Sequence, residues 1–301
     1  MKKSNRILWG TTQEKIAFAI TSLRQYPISK VCNILKLPLS SYYYQLHHPS
    51  VQRYTEAEKT QVSEVFKKHH GSFGRRMLHR ELPNISEYRI SKIMKSNQLF
   101  AKYGRKKGKN VYTSTATEPI YIKENFYRQL TKEERQTKEI WSMDFSEIKI
   151  QGRKMYACGI ISTNSKVLTN LIISRKCDAQ LAVEAVQNAI KKYGPPDMIT
   201  TDRGTQFTSK TFSDIIQSHN ITHSMSRPHT PIDNCYIETF WKSFKIEMGD
   251  FSKRSECELQ MIVEYYEHYY NYIRLHSTLG YIPPLQVYRN EHFEFLMKDV
   301  I

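Results

Sequence analysis

Apolar residues recur at three- and four-residue intervals through roughly the first third of the chain, and after Asn125 they gather instead into short continuous or alternating runs. The change of period predicts a helical first part followed by a part built on strands. Between Thr11 and Gln25, Ile16, Phe18, Ala19, Ile20 and Leu23 keep helical spacing, and Thr11 with Glu14 forms a capping-box pattern. The stretch ISKVCNILKLPLSSYYYQLHH divides into a short helix from Ser29 to Leu35, a turn carrying Pro38, and a second helix starting near Ser40 or Ser41. That is the outline of a helix-turn-helix, whose second helix commonly enters the major groove of DNA. The same pattern also fits an ordinary three-helix core with Tyr42 and Tyr43 packed inside.

After the break at HHPS, a second helical group is predicted over Thr55 to His69, GRRMLHREL and SEYRISKIMKSNQL, the last with Ser86 as N-cap. Its apolar stripe (Ile90, Ile93, Met94, Leu99) leaves Arg89, Lys92 and Lys95 facing elsewhere, and Arg75 and Arg76 open the preceding helix. The run KYGRKKGKNVYTSTATE, which contains Arg105, Lys106 and Lys107, has no apolar period and reads as a basic linker that tracks a phosphate backbone. Beyond it, IWSMDFSEIKI, KMYACGIISTN and VLTNLIISRK are three strand-like runs joined by short polar turns, an antiparallel meander. DAQLAVEAVQNAIKKYG then predicts a helix capped by Asp178 and closed by Gly194, followed by a strand in DMITTD, a helix in SKTFSDIIQSHN, a strand in ITHSMS and a long helix. This order of elements predicts a mixed five-stranded α/β sheet.

Charge adds a partner to this picture. The formal net charge is +16, and residues 1–120 hold 22 Lys and Arg against 7 Asp and Glu, whereas the remainder holds 23 against 22. Basicity confined to the helical part implies a polyanion for that part, because each phosphate neutralised releases counterions and supplies sequence-independent affinity. A solvated basic face is the plainer alternative. No run approaches the ~20 apolar residues of a membrane span, and MKKSNRILWGTTQEK turns polar too soon for a signal peptide. The five cysteines are odd in number and scattered, which predicts reduced thiols in a cytoplasmic protein with neither a zinc site nor a disulfide framework.

Carboxylates supply the candidate chemistry. Asp144 lies in the first predicted strand, on the face opposite Met143, Phe145 and Glu147 by the period of two, and Asp202 ends the fourth. If those strands are neighbours, the two acids meet, and a third from PIDNCYIETFWKSFKIEM would complete a site for hard divalent cations. That helix offers Asp233, Glu238 and Glu247. Glu238 has Lys242 and Lys245 at i+4 and i+7, which fits either an acid beside phosphate-holding lysines or a plain solvated salt bridge. The tyrosines at 265, 266, 269, 270 and 272 read as core or partner-helix residues.

Thirty-five residues separate Asp202 from Glu238. With WSMDFSEI, TTDRGTQFTS, DNCYIETFWKSFKIE and YYNYIRLHSTLGYIPPLQVY in order, the chain resembles bacterial insertion-sequence transposases of the OrfB type, members of the DDE superfamily whose catalytic core is integrase-like. The resemblance implies a ribonuclease H-like α/β core preceded by all-α helix-turn-helix DNA-binding units. It implies Asp144, Asp202 and Glu238 as catalytic metal ligands for two Mg²⁺ or Mn²⁺ ions, Lys245 as the basic residue seven places after the glutamate, and Arg274 and His276 as marked positions of the C-terminal block; these two, with Lys242, Lys245, Arg75, Arg76, Arg89, Lys92, Arg105, Lys106 and Lys107, are the expected DNA contacts. The activity implied is cleavage at element ends and strand transfer by a homo-oligomer on DNA in the bacterial nucleoid, with an upstream OrfA-type protein or frameshift fusion as partner. Expected boundaries are a helix-turn-helix region over 1–50, a second helical DNA-binding unit over 51–102, a basic linker over 103–135, the catalytic core over 136–250 and a helical extension over 251–301. A regulator without catalysis and a ribonuclease H-type nuclease are the competing readings.

Overall fold

The computed structural model describes residues 10–23, 25–47, 54–102, 123–227 and 230–289. Arg105, Lys106 and Lys107, expected to follow a phosphate backbone, lie outside the described residues. The chain divides into two compact units, Met1–Thr60 and Gln61–Ile301.

In the first unit the capping box forms as the sequence predicts. The Glu14 amide donates to Thr11 Oγ1 at 3.3 Å and the Thr11 amide donates to Glu14 Oε2 at 2.8 Å, which starts α1 (Thr12–Ser22). Helices α2 (Ile28–Leu35) and α3 (Leu39–His47) follow, separated by a turn in which Lys36 takes the left-handed conformation. Ile16, Ala19, Val31, Cys32, Leu35, Leu37 and Tyr42 fill the small core. Tyr42 is inside, whereas Tyr43 is on the surface, so only one of the two tyrosines read as core residues is buried.

Helices α4 (Glu56–Lys68), α5 (Arg75–Glu81) and α6 (Glu87–Ser96) come next. Most of the group expected to be a separate DNA-binding unit belongs to the second compact unit, and the cause is a buried polar cluster. His69 is fully buried, stacks on Phe73 at 3.7 Å, and bonds Tyr269 Oη at 3.1 Å through Nδ1 and Glu81 Oε1 at 3.0 Å through Nε2. That fastens the helical group to residues two hundred positions later. The described end of the expected linker is likewise built in as α7 (Phe126–Gln129) and α8 (Lys132–Thr137): the Met225 amide donates to the Glu124 carbonyl at 3.1 Å and the Tyr127 amide to Ser224 Oγ at 3.0 Å.

The sheet has the order β3-β2-β1-β4-β5, from β1 (Ile140–Ile150), β2 (Arg153–Ser162), β3 (Leu168–Ser174), β4 (Met198–Thr201) and β5 (Thr222–Met225). β1 pairs antiparallel with β2 and parallel with β4. Helices α9 (Ala179–Tyr193) and α10 (Lys210–Ser218) cover one face, where Trp141, Met143, Cys158 and Ile160 pack with Leu181, Val186, Phe212 and Ile216. Helices α11 (Cys235–Met248) and α12 (Glu256–His268) cover the other, where Ile148, Met155 and Ala157 meet Phe240, Trp241, Phe244 and Tyr266. A mixed five-stranded sheet with helices on both faces is the ribonuclease H-like arrangement. α12 continues as a π-helical turn over Tyr269–Ile273; Tyr266, Tyr269 and Tyr270 are buried, while Tyr265 and Tyr272 remain exposed.

Candidate active site

Pairing between β1 and β4 ends at Ser142 and Thr200. Two residues beyond each come Asp144, still within β1, and Asp202, the first residue past β4, so the register that aligns Ser142 with Thr200 carries both acids to the place where the strands part. Ligands in open α/β sheets bind outside the carboxyl ends of strands, at such a divergence. Asp202 sits in a turn of its own making: its Oδ1 accepts the Gly204 amide at 2.9 Å. It is a turn residue and a candidate site acid at once. A Cβ on Gly204 would fall 3.0 Å from that oxygen and 2.6 Å from Gln206 Oε1, so a side chain there would displace the Gln206 amide and crowd the Asp202 carboxylate.

Burial, followed by the nearby Asp202 charge, pushes Asp144 up to about 7, with Glu238 adding to the rise. The Phe145 amide works in the opposite direction, and the nearby Trp241 indole N–H is buried and closes no hydrogen bond. Asp202, exposed at its turn, is raised by partial desolvation against the pull of the Gly204 amide, and Glu238, also exposed, is raised by partial desolvation on α11. None of the three forms a salt bridge among the described residues. Three uncompensated acids sharing one region fit a hard divalent cation, which would relieve their mutual repulsion. Among the described residues no three His, Cys, Asp or Glu side chains are grouped closely enough to hold a metal as they stand. The two aspartates form the preset pair, with Glu238 at the rim.

The other two acids of this region have structural partners. Asp233 is buried and takes Arg128 Nη2 at 2.8 Å, Arg227 Nε at 3.0 Å and Asn125 Nδ2 at 2.7 Å; burial raises its carboxyl, but the arginine bonds prevail and hold it at about 2. Glu247 is buried, accepts Tyr266 Oη at 2.9 Å and pairs with Arg274 Nε at 3.0 Å. Arg274 is thus absorbed into the interior, with its side chain 11% exposed, and is not placed to meet DNA as expected. His276 is half-buried and lowered to about 4 by burial, with Arg274 and Lys166 adding to the drop, so it offers no positive charge near neutral pH.

Lys242 and Lys245 are exposed on α11. Lys245 is near enough to Asp144 and Glu147 for their charges to offset part of the lowering that its burial produces. Arg75, Arg76, Arg89 and Lys92 are exposed; Arg75 lies 3.6 Å from Glu87, and Lys92 sits over the Tyr88 ring at 5.4 Å.

Sequence reading missed Ser142, Asn234 and Gly159. The Ser142 hydroxyl donates to Asn234 Oδ1 at 2.9 Å, and Gly159 lies opposite Asp144 in the β1–β2 ladder. The signal available was spacing: Ser142 precedes Asp144 by two on a strand and Asn234 precedes Glu238 by four on a helix.

Two family models, both described as the integrase core domain, match residues 134–231 and 219–284. The InsK protein of insertion sequence IS150 from Escherichia coli K12 is 27% identical over 286 residues, covering 91% of this chain and 98% of that one. The transposase of insertion sequence IS904 from Lactococcus lactis is 30% identical over 243 residues, covering 78% of this chain and 93% of its own. The chain belongs to the insertion-sequence transposases. Among solved structures, the catalytic core domain of BIV integrase is similar to the transposase at a TM-score of 0.42, with 18% identity, covering 52% of this chain and 99% of that one. No helix among the described residues of the transposase is long and apolar enough to cross a membrane.

Proposed function

We propose that the transposase cuts DNA at the ends of its element and joins them to a target at a site formed by Asp144, Asp202 and Glu238. The observation that supports this reading is the β1–β4 register, which sets Asp144, partly buried, near Asp202, exposed at its turn, neither with an ion-pair partner among the described residues, while α11 packs on the face of β1 that carries Asp144. Divalent cations, Mg²⁺ or Mn²⁺ as a pair, held by the three carboxylates would supply activation of the attacking oxygen and neutralisation of the leaving one. The chain's own work is positional. Asp144 is fixed by the central strand, Asp202 by its turn, and Glu238 by the helix packed across them. Lys242 and Lys245 hold phosphates flanking the scissile bond, and the exposed Arg75, Arg76, Arg89 and Lys92 follow the DNA farther away.

In the first step a water oxygen bonds to phosphorus, the bond to the 3′ oxygen breaks, and a proton passes to solvent, leaving a free 3′-hydroxyl. In the second, that 3′ oxygen bonds to a target phosphorus and displaces another 3′ oxygen. Both are in-line displacements with no covalent protein intermediate. The first unit binds element ends through its helix-turn-helix. The assembly is a homo-oligomer on nucleoid DNA in the cytoplasm, joined by an OrfA-type partner.

The test is cleavage and strand transfer on duplexes carrying the DNA that flanks the gene, with Mg²⁺, Mn²⁺ or EDTA, for wild type and Glu238→Gln. Metal-dependent joined product from wild type alone is expected. Equal cleavage by Glu238→Gln would overturn the assignment.

A further inference from the structure

Asn234 occupies the N-cap of α11, where asparagine ordinarily accepts an amide of the first helical turn. Here it makes no such cap. Its Oδ1 accepts instead from Ser142 Oγ at 2.9 Å, and both residues are buried. The helix forgoes its own cap for a bond to the central strand. Asp233, the preceding residue, is held from the other side by Arg128, Arg227 and Asn125.

The place of this bond is informative. From Asn234 α11 runs in the same direction as β1 from Ser142. Trp241 and Phe240 lie against Gly159, the partner of Asp144, and Lys245 reaches the charges of Asp144 and Glu147. Helix rise between Asn234 and Lys245 is about 16 Å, and strand rise between Ser142 and Glu147 is also about 16 Å. The two elements therefore stay in step. Two residues of strand beyond Ser142, a rise of about 6.6 Å, lead to Asp144; four residues of helix beyond Asn234, a rise of about 6 Å and one turn, lead to Glu238.

We propose that the Ser142–Asn234 bond is the pin that sets α11 in register with β1 and so presents Glu238 to Asp144. Ser142 and Asn234 are positioning residues for strand cleavage, touching neither DNA nor cation. This rests on the three-acid reading given above. Without the pin the helix stays packed through Phe240 and Trp241 but loses its lengthwise setting, and Glu238 is displaced along the strand.

The experiment uses the full chain with Ser142→Ala, Asn234→Ala and Ser142→Thr, measuring thermal midpoint, affinity for an element-end duplex, Mn²⁺ binding by calorimetry, and cleavage. Both alanine variants are expected to fold and bind DNA as wild type does, to bind Mn²⁺ more weakly, and to cleave about 10- to 100-fold more slowly, as displacements near 1 Å do at active sites. Ser142→Thr, which keeps the hydroxyl, restores rate and Mn²⁺ binding. Wild-type cleavage and Mn²⁺ binding by the alanine variants would overturn the proposal. So would a loss that follows the thermal midpoint and that threonine fails to restore. Glu238→Gln in the same assay separates the two readings: if it cleaves, the three-acid site fails, and if it is inactive while Asn234→Ala is normal, only the pin fails.

Discussion

Asp144 and Gly159 face each other across the β1–β2 ladder, and the missing side chain at 159 is the reason α11 can lie close over the acid. A Cβ there would stand 3.0 and 3.1 Å from ring carbons of Trp241 and 3.3 Å from Phe240, all of them rigid and buried. Gly159→Ala is expected to lift α11 from the sheet and cost about 1–3 kcal/mol, the usual range for overpacking. Urea unfolding reads the stability, and cleavage should fall with it. An unchanged midpoint would show that the rings yield.

Arg274 and Glu247 form a buried pair whose partners are not equally replaceable. Arg274→Met leaves the Glu247 carboxylate uncompensated and is expected to cost about 3–5 kcal/mol in chemical denaturation. Glu247→Gln in the same chain should recover part of that loss. The salt dependence of DNA binding should not move, which distinguishes an interior role from a phosphate contact.

Acid sensitivity should reside partly at Glu81. Its hydrogen bond from His69 and the neighbouring Lys68 outweigh burial and hold its carboxyl at about 2, below its ordinary 4.5. A depressed carboxyl contributes stability above its unfolded value and loses it as pH falls through the folded one. The attachment of the α5–α6 pair to Tyr269 should therefore weaken between about pH 4.5 and 2. Glu81→Gln should flatten that part of the stability profile while lowering stability at neutral pH.

Asp144 works in the opposite sense. Raised to about 7, its charge opposes folding, so its contribution is present below the unfolded value of 3.8 and is lost as pH rises through about 7. The metal-free protein should lose thermal stability over that window, and Asp144→Asn should be more stable than wild type at pH 8 in EDTA. Mn²⁺ should raise the wild-type melting temperature and leave that of Asp144→Asn nearly unchanged. A less stable Asp144→Asn would contradict the repulsion described for the three acids.

Much of the sheet was legible because its signals are local. The first strand begins and ends where the alternation of IWSMDFSEIKI does, and Asp178, Ser86 and Thr11 cap the helices they were read to cap. The choice among Asp233, Glu238 and Glu247 was not legible from local pattern. What separates them is Arg128, more than a hundred residues before Asp233, and Arg274, twenty-seven after Glu247. The same distance hid the attachment of residues 61–102. Its helical pattern is as regular as that of a free unit, and only distant contacts, such as His69 and His70 with Tyr269 and Tyr265, mark it as part of the second. Arg274 was misread because an arginine in a marked motif looks alike whether its carboxylate lies inside the fold or its phosphate lies outside.

The turn at Asp202 gives the site a spectroscopic reporter. The Gly204 amide depends on Asp202 Oδ1 for its hydrogen bond, so any cation or DNA group that draws on that oxygen alters the electronic surroundings of one identifiable backbone proton. In ¹⁵N-labelled protein the Gly204 resonance should shift on Mn²⁺-free Mg²⁺ addition before any DNA is cut, and its exchange with deuterium should change as well. Loading of the acids thus becomes observable separately from strand cleavage.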